Sequence, residues 1–99
     1  MAGRKQMLEF KANIIEDVMR QNRVDVQVTG ATLTPGFIRF KLAPAPTTRI
    51  RKVKSLEEEL ALALQEREAR VVRVDGDLQV ELRRDDAPLV RLLDRKSVV

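Results

Sequence analysis

The stretch Ser55-Leu56-Glu57-Glu58-Glu59-Leu60-Ala61-Leu62-Ala63-Leu64-Gln65 carries the clearest helical pattern in the chain, and the remaining elements are placed around it. Ser55 reads as an N-cap, and Glu58 three residues later would complete a capping box, since each side chain can satisfy a backbone N–H left open in the first turn. Glu57, Glu58 and Glu59 set negative charge against the positive end of the helix dipole. At about 100° per residue, Leu56, Leu60, Ala63 and Leu64 share one face, which is the stripe a core-facing helix needs. Leu62 falls roughly opposite that stripe and is a candidate contact with a neighbouring molecule.

Immediately before this helix lies the basic run Arg49-Ile50-Arg51-Lys52-Val53-Lys54, four cations in six residues. A short third strand within Arg49 to Val53 would fit it, although its alternation is imperfect. Further upstream, residues 4 to 21 read as an amphipathic helix. Its apolar positions Met7, Leu8, Phe10, Ile14, Ile15, Val18 and Met19 fall within an arc of roughly 180°, with Asn22 a plausible left-handed C-cap. Val24, Val26 and Val28 alternate with polar residues, the period of a half-buried strand. Pro35-Gly36 supplies a turn, with Pro fixing φ at the first central position and Gly accepting positive φ at the second. Phe37 to Leu42 returns as a second strand, with Ile38, Phe40 and Leu42 on one face and Arg39 and Lys41 together on the other. Pro44 and Pro46 then interrupt regular structure.

Downstream, Ala69 to Val74 and Leu78 to Arg83 read as two more strands joined through Asp75-Gly76. A two-residue loop would set Arg73 opposite Leu78 on the core face. A three-residue loop with Gly76 in a bulge instead places Val72 and Val74 with Leu78, Val80 and Leu82, and is the expected geometry. Asp85-Asp86-Ala87-Pro88 reads as either a loop or the capped start of a last short helix, and with the apolar cluster Leu89, Val90, Leu92 and Leu93 it is the expected short C-terminal element. The expected fold is a single small α+β domain of order α-β-β-α-β-β, spanning 5–94, with 1–4 a disordered start or tag remnant and 95–99 a tail.

Composition excludes much chemistry. The 99 residues hold no Cys and no His, which removes disulfides, thiol nucleophiles, Cys/His zinc sites and Ser-His arrangements. Gly30 to Gly36 has one residue too many for a Walker A loop, and Phe37 stands where Lys should be. No metal, no cofactor and no stand-alone catalysis are expected. No apolar run approaches the roughly 20 residues of a spanning helix and no signal peptide is evident, so cytoplasmic residence without membrane contact is expected.

Charge is more informative. The net charge is +4, but residues 1–54 hold 11 Lys/Arg against 4 Asp/Glu, a balance of +7, while residues 55–99 hold 8 against 11, a balance of −3. A surface attractive to polyanions is implied, with Arg39, Lys41, Arg49, Arg51, Lys52 and Lys54 as the candidate DNA-binding residues. The absence of Trp and Tyr argues against base stacking. Backbone contact with double-stranded DNA is the best form of the reading.

Pro35-Gly36-Phe37-Ile38-Arg39-Phe40-Lys41-Leu42-Ala43-Pro44, the basic run, and Ser55 through Leu64 together resemble the alpha domain of the FtsK/SpoIIIE-type DNA translocases. That family shows a Gly/Pro turn, a strand ending in Leu-Ala-Pro, and an acidic helix ending in Ala-Leu-Ala-Leu. Arg70-Val71-Val72-Arg73-Val74 is similar to its Val-Arg-Ile strand. The resemblance implies a non-motor domain beside a RecA-like ATPase in a hexameric ring around duplex DNA, part of the channel and of the subunit contacts. ATP hydrolysis would then lie in a fused or adjacent motor domain, and the chain is expected to be either an excised domain or a stand-alone relative. Two other classes remain open: an oligomerisation module with Leu62 in its seam and no nucleic-acid role, and a small RNA-associated α/β domain.

Overall fold

The structure, a computed structural model, describes residues 2–83. Its elements are α1 (Ala2–Gln21), β1 (Val26–Leu33), β2 (Phe37–Pro44), α2 (Ile50–Lys54), α3 (Glu57–Leu64), β3 (Ala69–Val74) and β4 (Asp77–Arg83). The four strands form one antiparallel sheet of order β1-β2-β4-β3. The helices cover one face of it, so the domain is the expected α+β arrangement, with one additional short helix. The expected C-terminal element falls outside the described residues.

The core lies between the helices and that sheet face. Ile38, Phe40 and Leu42 of β2 alternate inward and meet Leu78, Val80 and Leu82 of β4 and Ala69 and Val71 of β3. Ile15, Val18 and Met19 of α1 and Leu56, Leu60 and Leu64 close it from above. Phe40 and Val80, which pair across the two central strands, are fully buried. On β1 the register shifts between Val28 and Gly30. This bulge reverses the parity, so Val26 and Val28 point to the core before it and Leu33 after it.

Both edge strands are tied down by a helix carboxylate. Glu16 of α1 accepts a hydrogen bond from the Val28 N–H at 2.8 Å, and Glu57 of α3 accepts one from the Val71 N–H at 2.7 Å. An edge strand otherwise offers such groups to any passing chain. The two helices are antiparallel neighbours, pinned at one end by Asn22 Nδ2 donating to Glu59 at 3.0 Å and at the other by the Lys11–Glu66 ion pair at 2.8 Å.

Several local expectations are corrected. The basic run is helical, because Val53 continues the buried stripe of Leu56, Leu60 and Leu64 at spacings of three and four residues. Ser55 is therefore the C-cap of α2, its hydroxyl donating to the Lys52 carbonyl at 2.6 Å. The N-cap of α3 is Leu56, without a side-chain cap, and no capping box forms. The left-handed residue after α1 is Arg23 rather than Asn22. Asn22 instead uses its amide to donate to the Val18 carbonyl and to Glu59.

The two hairpin turns also differ from expectation. Val74 pairs with Asp77 and Arg73 with Leu78, so Asp75-Gly76 is a two-residue turn with φ of 53° and 85°. Positive φ at both central residues is the geometry that matches strand twist. Arg73 is indeed on the core side, but at the exposed end of β3, where its charge reaches water. Val72 and Val74 lie on the opposite face, half-buried. At Pro35-Gly36, Gly36 does not adopt positive φ. Thr34 closes that turn instead, its hydroxyl lying 2.9 Å from the Phe37 carbonyl and accepting the Phe37 N–H at 3.1 Å.

Phe10 does not join the core stripe and is 65% exposed. Ile15, Val18 and Met19 define the inward direction of α1, and Phe10 points roughly 130° away from it.

Candidate nucleic-acid interface

The six basic residues singled out in the sequence fall on two different surfaces. Arg39 and Lys41 project from the outer face of β2, away from the helices, because Ile38, Phe40 and Leu42 occupy the inner one. Arg49, Arg51, Lys52 and Lys54 belong to α2 and its N-cap in the helical layer, where Val53 is fully buried. The sheet lies between the two groups. One continuous six-residue patch does not form.

The two groups also differ in how their charge is used. Arg39 donates from Nε to Glu81 at 3.1 Å, places Nη2 3.0 Å from the same carboxylate oxygen, and stacks over the Phe37 ring at 4.4 Å from its centroid. Lys41 pairs with Asp77 at 3.3 Å. Both acidic partners come from β4, whose register against β2 places Glu81 opposite Arg39. Arg39 and Lys41 are thus both engaged by cross-strand ion pairs. In the helical layer, Lys54 pairs with Glu57 at 3.3 Å. Arg49, Arg51 and Lys52 are exposed and form no ion pair among the described residues. Of the six residues singled out in the sequence, these three are the ones without a carboxylate partner among the described residues.

Leu62 is 80% exposed on α3, as its position off the stripe predicts. In sequence it lies between Glu59 and Glu66, whose carboxylates accept from Asn22 and pair with Lys11 respectively. Among the described residues no cluster of three acidic side chains forms a metal site, and no helix is long and apolar enough to cross a membrane.

A family profile described as the FtsK alpha domain matches residues 2–82. The chain belongs to the FtsK alpha domain family. Among similar curated proteins, the DNA translocase FtsK of Mycobacterium tuberculosis is 29% identical over 86 residues, covering 84% of this chain and 10% of that protein. That of Streptococcus agalactiae is 27% identical over 67 residues, covering 68% of this chain and 8% of the relative. That of Caldanaerobacter subterraneus subsp. tengcongensis is 31% identical over 61 residues, covering 62% and 9%. The chain thus spans a tenth or less of these relatives' length. The FtsK alpha domain is a non-catalytic auxiliary module, so the chain is an accessory part of a translocase and not an enzyme by itself.

Within this FtsK alpha domain, one cation near α2 escaped the sequence reading. Arg23 follows α1 with φ of 61° and lines a concavity of about 290 Å³ together with Arg49 and Lys52. It stands 26 positions from Arg49 in the sequence and belongs to no basic run. Its only sequence signal is the Asn22-Arg23 position just past a helix end, which leaves the direction of the side chain undetermined.

Proposed function

We propose that this FtsK alpha domain contributes sequence-independent contacts to the phosphate backbone of duplex DNA through α2, as the non-motor part of an ATP-driven DNA translocase. The observation that carries the reading is the contrast in charge use. Arg49, Arg51 and Lys52 are exposed and unpaired among the described residues, on a helix fixed by buried Val53, whereas Arg39 and Lys41 are held by Glu81 and Asp77. A cation already paired to a carboxylate must lose that partner before it can neutralise a phosphate. The α2 cations carry no such cost.

The chemistry is counterion release, with little preference for sequence. The same reading places the domain in the cytoplasm, beside an ATPase motor and other copies of itself, in chromosome transport. It is tested by binding of a labelled duplex to the 99-residue chain across a salt series. Replacing Arg49, Arg51 and Lys52 by Gln should lower the slope of log K against log salt by about 2.7, at about 0.9 per phosphate contact. Replacing Arg39 and Lys41 should change it much less. Undetectable duplex binding at low salt, or indifference to the α2 substitutions, would refute the DNA reading. A preference for RNA at matched salt would move the domain to a different class.

A subunit contact through Leu62 is a second reading, favoured by its exposure on an otherwise braced helix. Equilibrium sedimentation should then show self-association that Leu62→Glu weakens. An unchanged monomer in both proteins removes this seam for the 99-residue chain.

A further inference from the structure

We infer that Arg23, Arg49 and Lys52 form a built phosphate-binding notch, with Arg23 as a contact residue that no basic run announces. The inference deepens the duplex-DNA reading and rests on it for the source of the phosphate. The three residues line one concavity of about 290 Å³, although they come from the two ends of a long excursion through β1 and β2; Arg23 also borders a neighbouring concavity beside Glu16 and Arg20. None of them forms an ion pair among the described residues.

The walls of the notch are fixed by hydrogen bonds between those two segments. The Asp25 carbonyl accepts from the Ala45 N–H at 2.9 Å and from the Thr48 hydroxyl at 2.8 Å. The Thr48 N–H donates in turn to the Ala45 carbonyl at 2.9 Å. On the other wall, Val24 N–H donates to the Met19 carbonyl at 2.8 Å and Arg23 N–H to the Arg20 carbonyl at 3.0 Å, the paired bonds of a Schellman helix end. This geometry requires a left-handed residue at position 23. Glycine fills such positions without strain, whereas a side-chain-bearing residue is strained there. The residue that takes this conformation is a long cation, and it borders the same concavity as two others.

The notch is not purely cationic. The Asp25 side chain belongs to a residue that also lines it, and its carboxylate would oppose a bound anion. Three cations against one carboxylate leave the site attractive to a phosphate group while limiting its affinity. Arg20, close by in sequence, is engaged by Asp17 at 2.7 Å and is not counted.

Two effects of Arg23→Gly have opposite signs, which makes the test sharp. Removing the strained side chain should raise the unfolding midpoint by about 4–8 °C. Removing the phosphate contact should lower the salt slope of duplex binding by about 0.9. Arg23→Lys should retain the wild-type slope, and Asp25→Asn should tighten binding. If Arg23→Gly binds duplex like the wild type while Arg49→Gln loses slope, the notch is overturned and the α2 reading stands. If the wild type binds no duplex, the DNA reading fails and inorganic phosphate decides the notch. Saturable shifts of the Val24 and Thr48 amides, abolished by Arg23→Gly, would keep it as an anion site. Their absence would overturn it as well.

Discussion

Replacing Glu57 by Ala isolates what the acidic start of α3 does. Its carboxylate accepts the Val71 N–H at 2.7 Å and the Lys54 ammonium at 3.3 Å. A hydrogen bond to a charged group contributes about 1.5–3 kcal/mol. Favourable placement in the first turn of a helix adds about 0.3–1 kcal/mol. The Lys54 pair joins side chains that are 63% and 29% exposed and is worth at most about 1 kcal/mol. The backbone bond therefore dominates, and the total loss in Glu57→Ala is about 2–5 kcal/mol. For a domain of this size the unfolding midpoint should fall by at least about 10 °C. Glu57→Gln keeps an acceptor and should lose about half as much. Lys54→Gln should lose at most about 1 kcal/mol. Thermal unfolding gives the ordering, and hydrogen exchange locates it: the Val71 amide should lose protection before its ladder-bonded neighbours do. Equal stability of all three variants, or undiminished protection of Val71, would refute the role of Glu57 as an edge-strand clamp.

Phe40→Ala removes the largest fully buried side chain at the centre of the sheet and should cost about 3–5 kcal/mol, read as a lower denaturant midpoint. The two turn glycines should respond with opposite signs to Ala. Nothing lies within 4 Å of a Cβ added at either, so backbone conformation alone decides. Gly76→Ala, at φ of 85°, should destabilise by about 1–2 kcal/mol. Gly36→Ala, outside the positive-φ region, should stabilise by about 0.4–1 kcal/mol. Chemical denaturation of the two variants side by side checks both signs.

The class of fold, the central helix, the alternation of β2 and β4, and the exposure of Leu62 are legible in the residue pattern alone. These follow from periodicities of two and about 3.6 residues, which the chain carries locally. It also carried the family likeness, because the turn, strand and helix signals of residues 35–64 are contiguous. The helical nature of Ile50–Lys54 is present too, in the spacing of Val53, Leu56, Leu60 and Leu64. Ser55 with Glu58 three residues on imitates a helix start, since a capping box and a C-cap hydroxyl draw on the same residue type.

How charge is used depends on packing between segments. Arg39 and Lys41 look as available in sequence as Arg49 and Lys52. What separates them is the register of β4, which brings Glu81 and Asp77 to the outer face and supplies nothing comparable near α2. Likewise, the Asp75-Gly76 parity could not be read from apolar preference, because an exposed strand end lets Arg73 occupy a core-side position at no cost in burial. Arg23 joined the α2 cations only through the hydrogen bonds that fasten Asp25 to the 45–48 turn. Pairing and convergence are properties of the space between segments. Local sequence records which groups are charged, and the packed fold determines which of those charges remain unmet.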